Sequence, residues 1–330
     1  MLITQTPLRV SFAGGGTDLR EFYEREEGAV LSTTIDKYIF VLVKERYDRK
    51  IVLSWTHKEI VERIDDIKHE LIREGMRLVG VPSGIEIMTT ADIPSEGSGL
   101  GSSSSVTVGL LNAFHTYTGE QVSAGQLAEE ACRIETAILK KPIGKQDQYI
   151  AAYGGFRRFV FHSDGSVTTT RLDMTEDTKR RLQAHCLLFY TNRTRSAAEV
   201  LVEQKRNTST NLSILRAMRE QVQELGKCLE SGMVSEVGNL LHEGWCLKRR
   251  LARQISDVEL DGMYQRAREA GATGGKVLGA GGGGFMLLFC PVEKQENVRK
   301  AMARYKEMPF RFESEGTRVI FNIKRETWKI

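Results

Sequence analysis

Between Pro94 and Ser105 the chain reads Pro-Ser-Glu-Gly-Ser-Gly-Leu-Gly-Ser-Ser-Ser-Ser, and the apolar residues Val106, Leu110, Ala113 and Phe114 then recur at helical spacing. Small residues let successive backbone N–H groups turn toward one point, and a helix N-terminus adds unpaired N–H groups and the positive end of its dipole. That combination binds phosphate. The hydroxyls of Ser102 to Ser105 can also reach a magnesium ion between phosphates, since that ion takes oxygen ligands. A flexible linker has a similar composition, but a linker need not lie between a strand, here Ile85 to Thr89, and an apolar helix.

Two carboxylates stand out downstream. Glu135 lies beside the stripe Leu127, Ala131, Ile134 and Ile138, where a carboxylate either finds a polar partner or sits half-exposed at the helix edge. Asp147, in Gly144-Lys145-Gln146-Asp147-Gln148 ahead of the apolar stretch Tyr149 to Tyr153, suits either a helix N-cap or a general base.

Two further glycine clusters flank this region. From Leu8 to Phe12 apolar and polar residues alternate, so a strand turns Leu8, Val10 and Phe12 one way and Arg9 and Ser11 the other. It runs into Ala13-Gly14-Gly15-Gly16-Thr17-Asp18. The other cluster, Gly274 to Gly284, precedes the strand Phe285 to Cys290. Neither is a Walker loop: Gly275-Lys276 has Ala270 where the first glycine belongs and Val277 where the hydroxyl belongs. Gly279 to Gly284 matches a dinucleotide fingerprint by spacing, yet it leads into a strand rather than out of one.

These loops need elements to hold them. Further strands are expected at Tyr38–Val43, Ile51–Trp55, His185–Tyr190 and Val319–Ile323. Ser123 with Gln126 forms a capping-box signature for a helix that runs to about Lys140, before Pro142 and Gly144. The second half reads as more helical: Ser196 to Leu229, Ser235 to Ile255, Asp257 to Ala270 and Asn297 to Tyr305. A polar stretch near residues 165 to 180 marks a boundary between two domains, 1–175 and 176–330.

Composition bounds the partners. The 330 residues, 41% apolar and 27% charged, have the balance of a soluble globular chain long enough for two cores. A net charge of +4 from 47 basic and 43 acidic residues has no aromatic-interleaved basic patch, so no nucleic-acid partner is expected. The runs Lys179-Arg180-Arg181 and Lys248-Arg249-Arg250 read as solvated helix faces. Five scattered cysteines read as reduced core thiols. With no secretory leader and no long apolar run, the cytoplasm is the expected location and no membrane partner is expected; a homodimer is compatible with all of this.

Three glycine loops in this order, the first after a strand carrying Arg9, the second before a helix and the third before a late strand, resemble the three motifs of the GHMP kinases. The resemblance implies an α+β fold of two domains, a ribosomal-protein-S5-like N-terminal lobe and a ferredoxin-like C-terminal lobe, with ATP and a small molecule in the cleft between them. It implies ATP and Mg²⁺ as cofactors. Gly97, Ser98, Gly99, Leu100, Gly101, Ser102, Ser103 and Ser104 then hold ATP, Ser103 and Glu135 hold Mg²⁺, and Asp147 is the base with Arg9 beside it. Gly16, Thr17, Asp18, Gly281 and Gly282 fall on the substrate side.

Galactokinases of this superfamily carry Gly-Glu-His ahead of Thr-Asp, where this chain has Gly14-Gly15-Gly16. The stretches Phe12 to Leu19, Leu31 to Tyr38 and Ile143 to Tyr149 look instead like the D-glycero-D-manno-heptose 7-phosphate kinases. A phosphorylated sugar calls for a distal cation, for which Lys37, Arg193 and Arg195 are the candidates. A kinase of an unphosphorylated sugar such as fucose, and a non-catalytic sugar sensor on the same fold, are the competing readings.

Overall fold

The computed structural model describes residues 1–93, 97–194 and 197–323. Its strands are β1 (Leu2–Ala13), β2 (Gly28–Glu45), β3 (Ile51–Ser54), β4 (Lys58–Val61), β5 (Ile85–Ala91), β6 (Arg157–Phe161), β7 (Val167–Arg171), β8 (Cys186–Tyr190), β9 (Gly274–Val277), β10 (Phe285–Phe289), β11 (Phe312–Glu313) and β12 (Arg318–Asn322). The larger sheet follows the path β12-β1-β2-β5-β3-β4, with β6 and β11 also on β2 and β7 on β6. All its pairs are antiparallel except β3 with β5. The smaller sheet is β8-β10-β9, and an isolated bridge from Phe189 to Glu307 lies beside it. This is the expected α+β architecture.

The strand that carries Arg9 extends well beyond the expected five residues because Leu2, Thr4, Thr6, Leu8 and Val10 are all buried. Pro7 has no N–H for the ladder, and the register between β1 and β2 slips between Pro7 and Leu8. Residues after the slip run in a new register in which Arg9 lies opposite Thr34. Both faces are covered here, so Arg9 and Ser11 are buried as well as their apolar neighbours. The helix Ser102–Thr118 packs on this sheet, with Thr4 Oγ1 donating to Gly109 O at 3.0 Å and Ser105 Oγ to Pro7 O at 2.9 Å.

Ser123 caps its helix as expected, accepting from Gln126 N at 3.1 Å. The reciprocal half of the box is absent, since the Gln126 side chain turns to Glu130 instead. The helix is α-helical only to Cys132 and then widens into a π-turn over Arg133–Ile138. Such insertions rotate the following side chains relative to a continuous helix, and this one carries Glu135.

The long helix expected from Ser196 to Leu229 is two helices, Ala197–Arg206 and Leu212–Glu230. Asn207-Thr208-Ser209-Thr210-Asn211 separates them, because these side chains compete for backbone groups. Asn207 and Asn211 both donate to Leu251 O. The segment expected at Ser235 to Ile255 likewise has its α-helix at Val237–Lys248, flanked by short 3₁₀ turns. Helices at Glu70–Val79 and Glu176–His185 were not expected; the second lies in the polar stretch assigned to the boundary, where Thr175 accepts from Thr178 N as its N-cap. Cys132, Cys186 and Cys290 are buried free thiols, whereas Cys246 is exposed.

Phe285, Leu287 and Phe289 of β10 belong to the same apolar cluster as Leu8, Val10 and Phe12, while Met286 and Leu288 face a second cluster with Trp245 and Met263. β11 and β12 return from the C-terminal half to pair with β2 and β1. Division of the chain into folding units at residue 175 remains a proposal on these terms. Leu8 is fully buried at the centre of the first cluster, so Leu8→Ala is expected to cost about 2–5 kcal/mol, read as a lowered urea midpoint.

Candidate active site

The second glycine loop enters its helix through Gly97, Gly99 and Gly101, all at positive φ. Gly101 is the N-cap residue, and Ser102, Ser103 and Ser104 occupy the first turn, which contains no acidic residue of its own. The loop is pinned from both sides. Arg9 N donates to Leu100 O at 3.0 Å, and Phe285 N donates to Ser98 O at 3.1 Å. Leu100 is fully buried and lies outside the cleft lining. Its side chain anchors the loop while Gly97, Ser98, Gly99 and Gly101 to Ser104 face the cleft.

Glu135 is completely buried, with no half-exposed edge position. Four donors converge on it: Ser103 Oγ at 3.1 Å and Thr107 Oγ1 at 2.9 Å on Oε1, Ser104 Oγ at 2.7 Å and Gln148 Nε2 on Oε2. Among the described residues no salt bridge reaches this carboxylate, and the four hydrogen bonds satisfy both of its oxygens. Lys141 Nζ lies 3.4 Å from Ser103 Oγ at the mouth of the cleft.

Asp147 is in the first turn of the helix Gln146–Tyr153, but its side chain is not a cap. Arg9 grips it in a bidentate fork, Nε to Oδ1 and Nη2 to Oδ2, each at 2.8 Å. Arg9 also donates to Gly99 O. One guanidinium thus ties the carboxylate to the glycine loop. The Asp147 side chain keeps 24% of its surface exposed against 5% for Arg9, so the carboxylate is the member open to the cleft.

Asp18 is buried in the first glycine turn, where Oδ1 accepts from Gly16 N at 2.9 Å and Oδ2 from Gln146 N and Nε2 at 3.3 and 3.1 Å. Burial raises its pKa, opposed by the Gly16 N–H. Gly16 and Asp18 line the cleft. Thr17 does not: its buried hydroxyl donates to Gly14 O and Ala29 O and accepts from Ala29 N. The sugar-holding role expected of Thr17 is corrected to a staple between the turn and β2.

The distal cations are corrected too. Lys37 is turned onto its neighbour Asp36 at 3.0 Å. Arg193 is held by Asp257 at 2.7 Å and Glu259 at 3.1 Å. Neither lines the cleft, and Arg195 lies outside the described residues. Gly281 and Gly282 pack on Ile255, whose carbonyl accepts from Gly282 N at 2.8 Å. Gly279 and Ala280 instead face the cleft. A Cβ on Gly279 would lie 2.7 Å from Gly99 Cα, so the second and third loops touch backbone to backbone.

Sequence reasoning missed Lys248 and Lys276, both buried and both lining the cleft. Lys248 was read as part of a solvated basic run, which holds for Arg249 and Arg250 but not for it. The signal was present, because Val237, Leu241, Trp245 and Lys248 share one face of their helix and all four are buried. Burial lowers the Lys248 pKa to about 7, helped by Arg9 and opposed by Asp18 and Asp147. Unfolded, this lysine holds its proton up to its ordinary value of 10.5. Between about pH 7 and 10.5 the unfolded chain therefore binds the extra proton, and stability rises with pH; below about 7 both states are protonated and the penalty is constant. The urea midpoint of the protein without ligand is expected to climb from pH 7 to 9, and Lys248→Met is expected to flatten that rise.

Comparison with known proteins agrees with the geometry. The family model for the GHMP kinases N terminal domain matches residues 60–155, and that for GHMP kinases C terminal matches residues 215–307. A D-glycero-alpha-D-manno-heptose 7-phosphate kinase of Campylobacter jejuni is 32% identical over 96% of this chain and 97% of its own. A mevalonate kinase of Methanothermobacter thermautotrophicus is 26% identical over 87% of this chain and 91% of its own. The crystal structure of a D-glycero-D-manno-heptose 1-phosphate kinase from Bacteroides thetaiotaomicron superposes with a TM-score of 0.83 at 25% identity, covering 98% of this chain and all of that one. With both family models matched in order and a relative this similar along nearly its whole length, the chain belongs to the GHMP kinases and is an ATP-dependent sugar kinase.

Proposed function

We propose that the substrate is D-glycero-D-manno-heptose 7-phosphate and that the chain phosphorylates its anomeric hydroxyl, giving the 1,7-bisphosphate and ADP in the cytoplasm for nucleotide-heptose and surface-polysaccharide synthesis. The observation that carries this reading is the full-length similarity to the Campylobacter heptose 7-phosphate kinase. In its support, the glycine turn that distinguishes galactokinases lacks their Glu and His here.

In this reading the N–H groups of Gly97 to Ser104 cradle the ATP phosphates at the helix start. Asp147 accepts the proton of the attacking hydroxyl. The anomeric hydroxyl is the most acidic on a sugar because the ring oxygen withdraws charge from its carbon. Phosphoryl transfer makes a small demand on the base and a large one on positioning, and the fork from Arg9 fixes both carboxylate oxygens. Asp18 and Gly16, which line the same cleft, contact the sugar in this reading.

Ser103 and Glu135 are proposed to hold Mg²⁺. Their hydroxyl and carboxylate are the hard oxygen donors that ion takes, and they lie 3.1 Å apart. With its oxygens already receiving four hydrogen bonds, Glu135 reaches a metal if the Ser103 hydroxyl turns its proton away. The ion, if bound there, would supply charge neutralisation to the ATP phosphates.

Two measurements test this. ADP release from ATP and Mg²⁺ is expected with heptose 7-phosphate and not with free heptose, fucose or galactose, and Asp147→Asn is expected to cut the rate by about 10²–10⁴-fold. Turnover of fucose instead would move the enzyme to the deoxysugar reading, and no turnover of any would point to a sugar outside this panel or to the sensor. Gly101→Ala places a methyl 3.1 Å from Arg9 Cγ and 3.4 Å from Asp147 Cγ at a residue with φ +78°. Stability is expected to fall by roughly 1–2 kcal/mol and kcat by about 10²-fold, as displaced catalytic groups lose alignment.

A further inference from the structure

Lys248 ends its helix and Lys276 lies in β9, and the two ammonium groups meet at the floor of the cleft with 5% and 4% exposure. Lys276 Nζ donates to Phe12 O at 3.1 Å. Lys248 Nζ donates to Val277 O at 3.3 Å and to Gly279 O. An ammonium carries three donors, so among the described residues Lys276 keeps two unspent and Lys248 one.

A third group faces the same space. Ser11 follows Arg9 on the same side of β1 and immediately precedes the residue whose carbonyl holds Lys276. Its Oγ is buried, lines the cleft and has no hydrogen-bond partner among the described residues. Buried hydroxyls in folded proteins are paired. The cleft therefore offers unspent ammonium donors and an unpaired hydroxyl together, which no group among the described residues meets.

Arg9, Lys248 and Lys276 bring three cationic groups to this cleft against the carboxylates of Asp18 and Asp147, which favour the charged form of Lys248. Asp147 is gripped by Arg9 in a bidentate pair, and Asp18 accepts from Gly16 and Gln146. Among the described residues the hydrogen bonds of the two lysines go to carbonyl oxygens and none to a carboxylate. Burial lowers both of their pKa values, with Arg9 contributing in each case and Lys248 adding to the effect on Lys276. Such a pair retains its protons best when an anion sits between them.

We propose that Lys248, Lys276 and Ser11 form an anion subsite in the cleft that holds a phosphoryl group of a bound ligand. The phosphoryl group comes from one of two sources, the distal phosphate of a sugar phosphate or the γ-phosphate of ATP. The first source rests on the heptose 7-phosphate reading; the second does not. Lysines hold phosphate as point charges, and the hydroxyl donates a further bond.

The test is calorimetric titration of the full chain with heptose 7-phosphate, free heptose, Mg²⁺-AMPPNP and Mg²⁺-ADP, for the wild type, Lys248→Met, Lys276→Met and Ser11→Ala. Each variant's melting temperature without ligand is recorded beside it. The lysine variants are expected to raise the Kd of one phosphorylated probe by about tenfold or more and Ser11→Ala by several-fold. A loss for heptose 7-phosphate with free heptose unchanged places the sugar's phosphate in the subsite. A loss for AMPPNP with ADP unchanged places the γ-phosphate there. Unchanged Kd for both probes, or equal losses for free heptose and ADP, overturns the proposal, and Ser11→Ala decides the matter if the lysine variants melt before titration. A wild type that ignores heptose 7-phosphate sinks the heptose reading alone, because the AMPPNP and ADP pair still judges the subsite.

Discussion

Everything in the cleft depends on one uncompensated charge. Glu135 is sealed from solvent, and among the described residues no cation pairs with it; three hydroxyls and one amide satisfy it. Those donors come from two different helices, Ser102–Thr118 and Gln146–Tyr153, while Glu135 itself sits on a π-turn between them in sequence. A buried carboxylate left unpaired costs several kcal/mol, so the three segments hold one arrangement or lose it together. The serines that open the phosphate-binding turn and the helix that carries Asp147 are thereby fixed to a common point.

From that point the site grows outward by shared atoms. Arg9 joins β1 to Asp147 and to the glycine loop at once. Ser98 O receives the N–H of Phe285, so the strand that follows the third glycine cluster docks on the second. Lys276 reaches Phe12 across the same boundary. The two sheets share an apolar cluster through Phe285, Leu287 and Phe289 of β10 and Leu8, Val10 and Phe12 of β1, and these main-chain carbonyls add a polar coupling at the cleft.

Much of this was legible in the residues. The three glycine loops, Arg9 on a strand, and Glu135 and Asp147 a dozen residues apart are local patterns, and local patterns survive folding. The distal cations were not legible. Nothing near Arg193 in sequence announces that Asp257 and Glu259 will take it, nor that Lys37 turns to its own neighbour. Thr17 looked like a ligand because its type suits a sugar, and the partners that claim it are the carbonyls of Gly14 and Ala29. Lys248 was hidden for the opposite reason: a lysine on a buried face breaks the ordinary rule of burial, so its periodicity was discounted in favour of the charge run it begins. The break in the Ser196–Leu229 region followed the same logic, with apolar periodicity on both sides masking five turn-forming residues between.

The return of β12 to pair with β1 has a consequence for the order in which the molecule is made. Leu2 to Gln5 find their partners at residues 318 to 322, so during synthesis the free edge of β1 stays open while nearly all of the chain emerges. An open edge is a template for pairing with another nascent chain, and domains otherwise fold as they leave the ribosome. Thr4 and Thr6 are buried with their hydroxyls taken by Gly109 O and the Thr317 hydroxyl, whereas Pro7 has no N–H to offer a ladder. Pro7 thereby shortens the run of pairable backbone during the interval in which the edge is exposed.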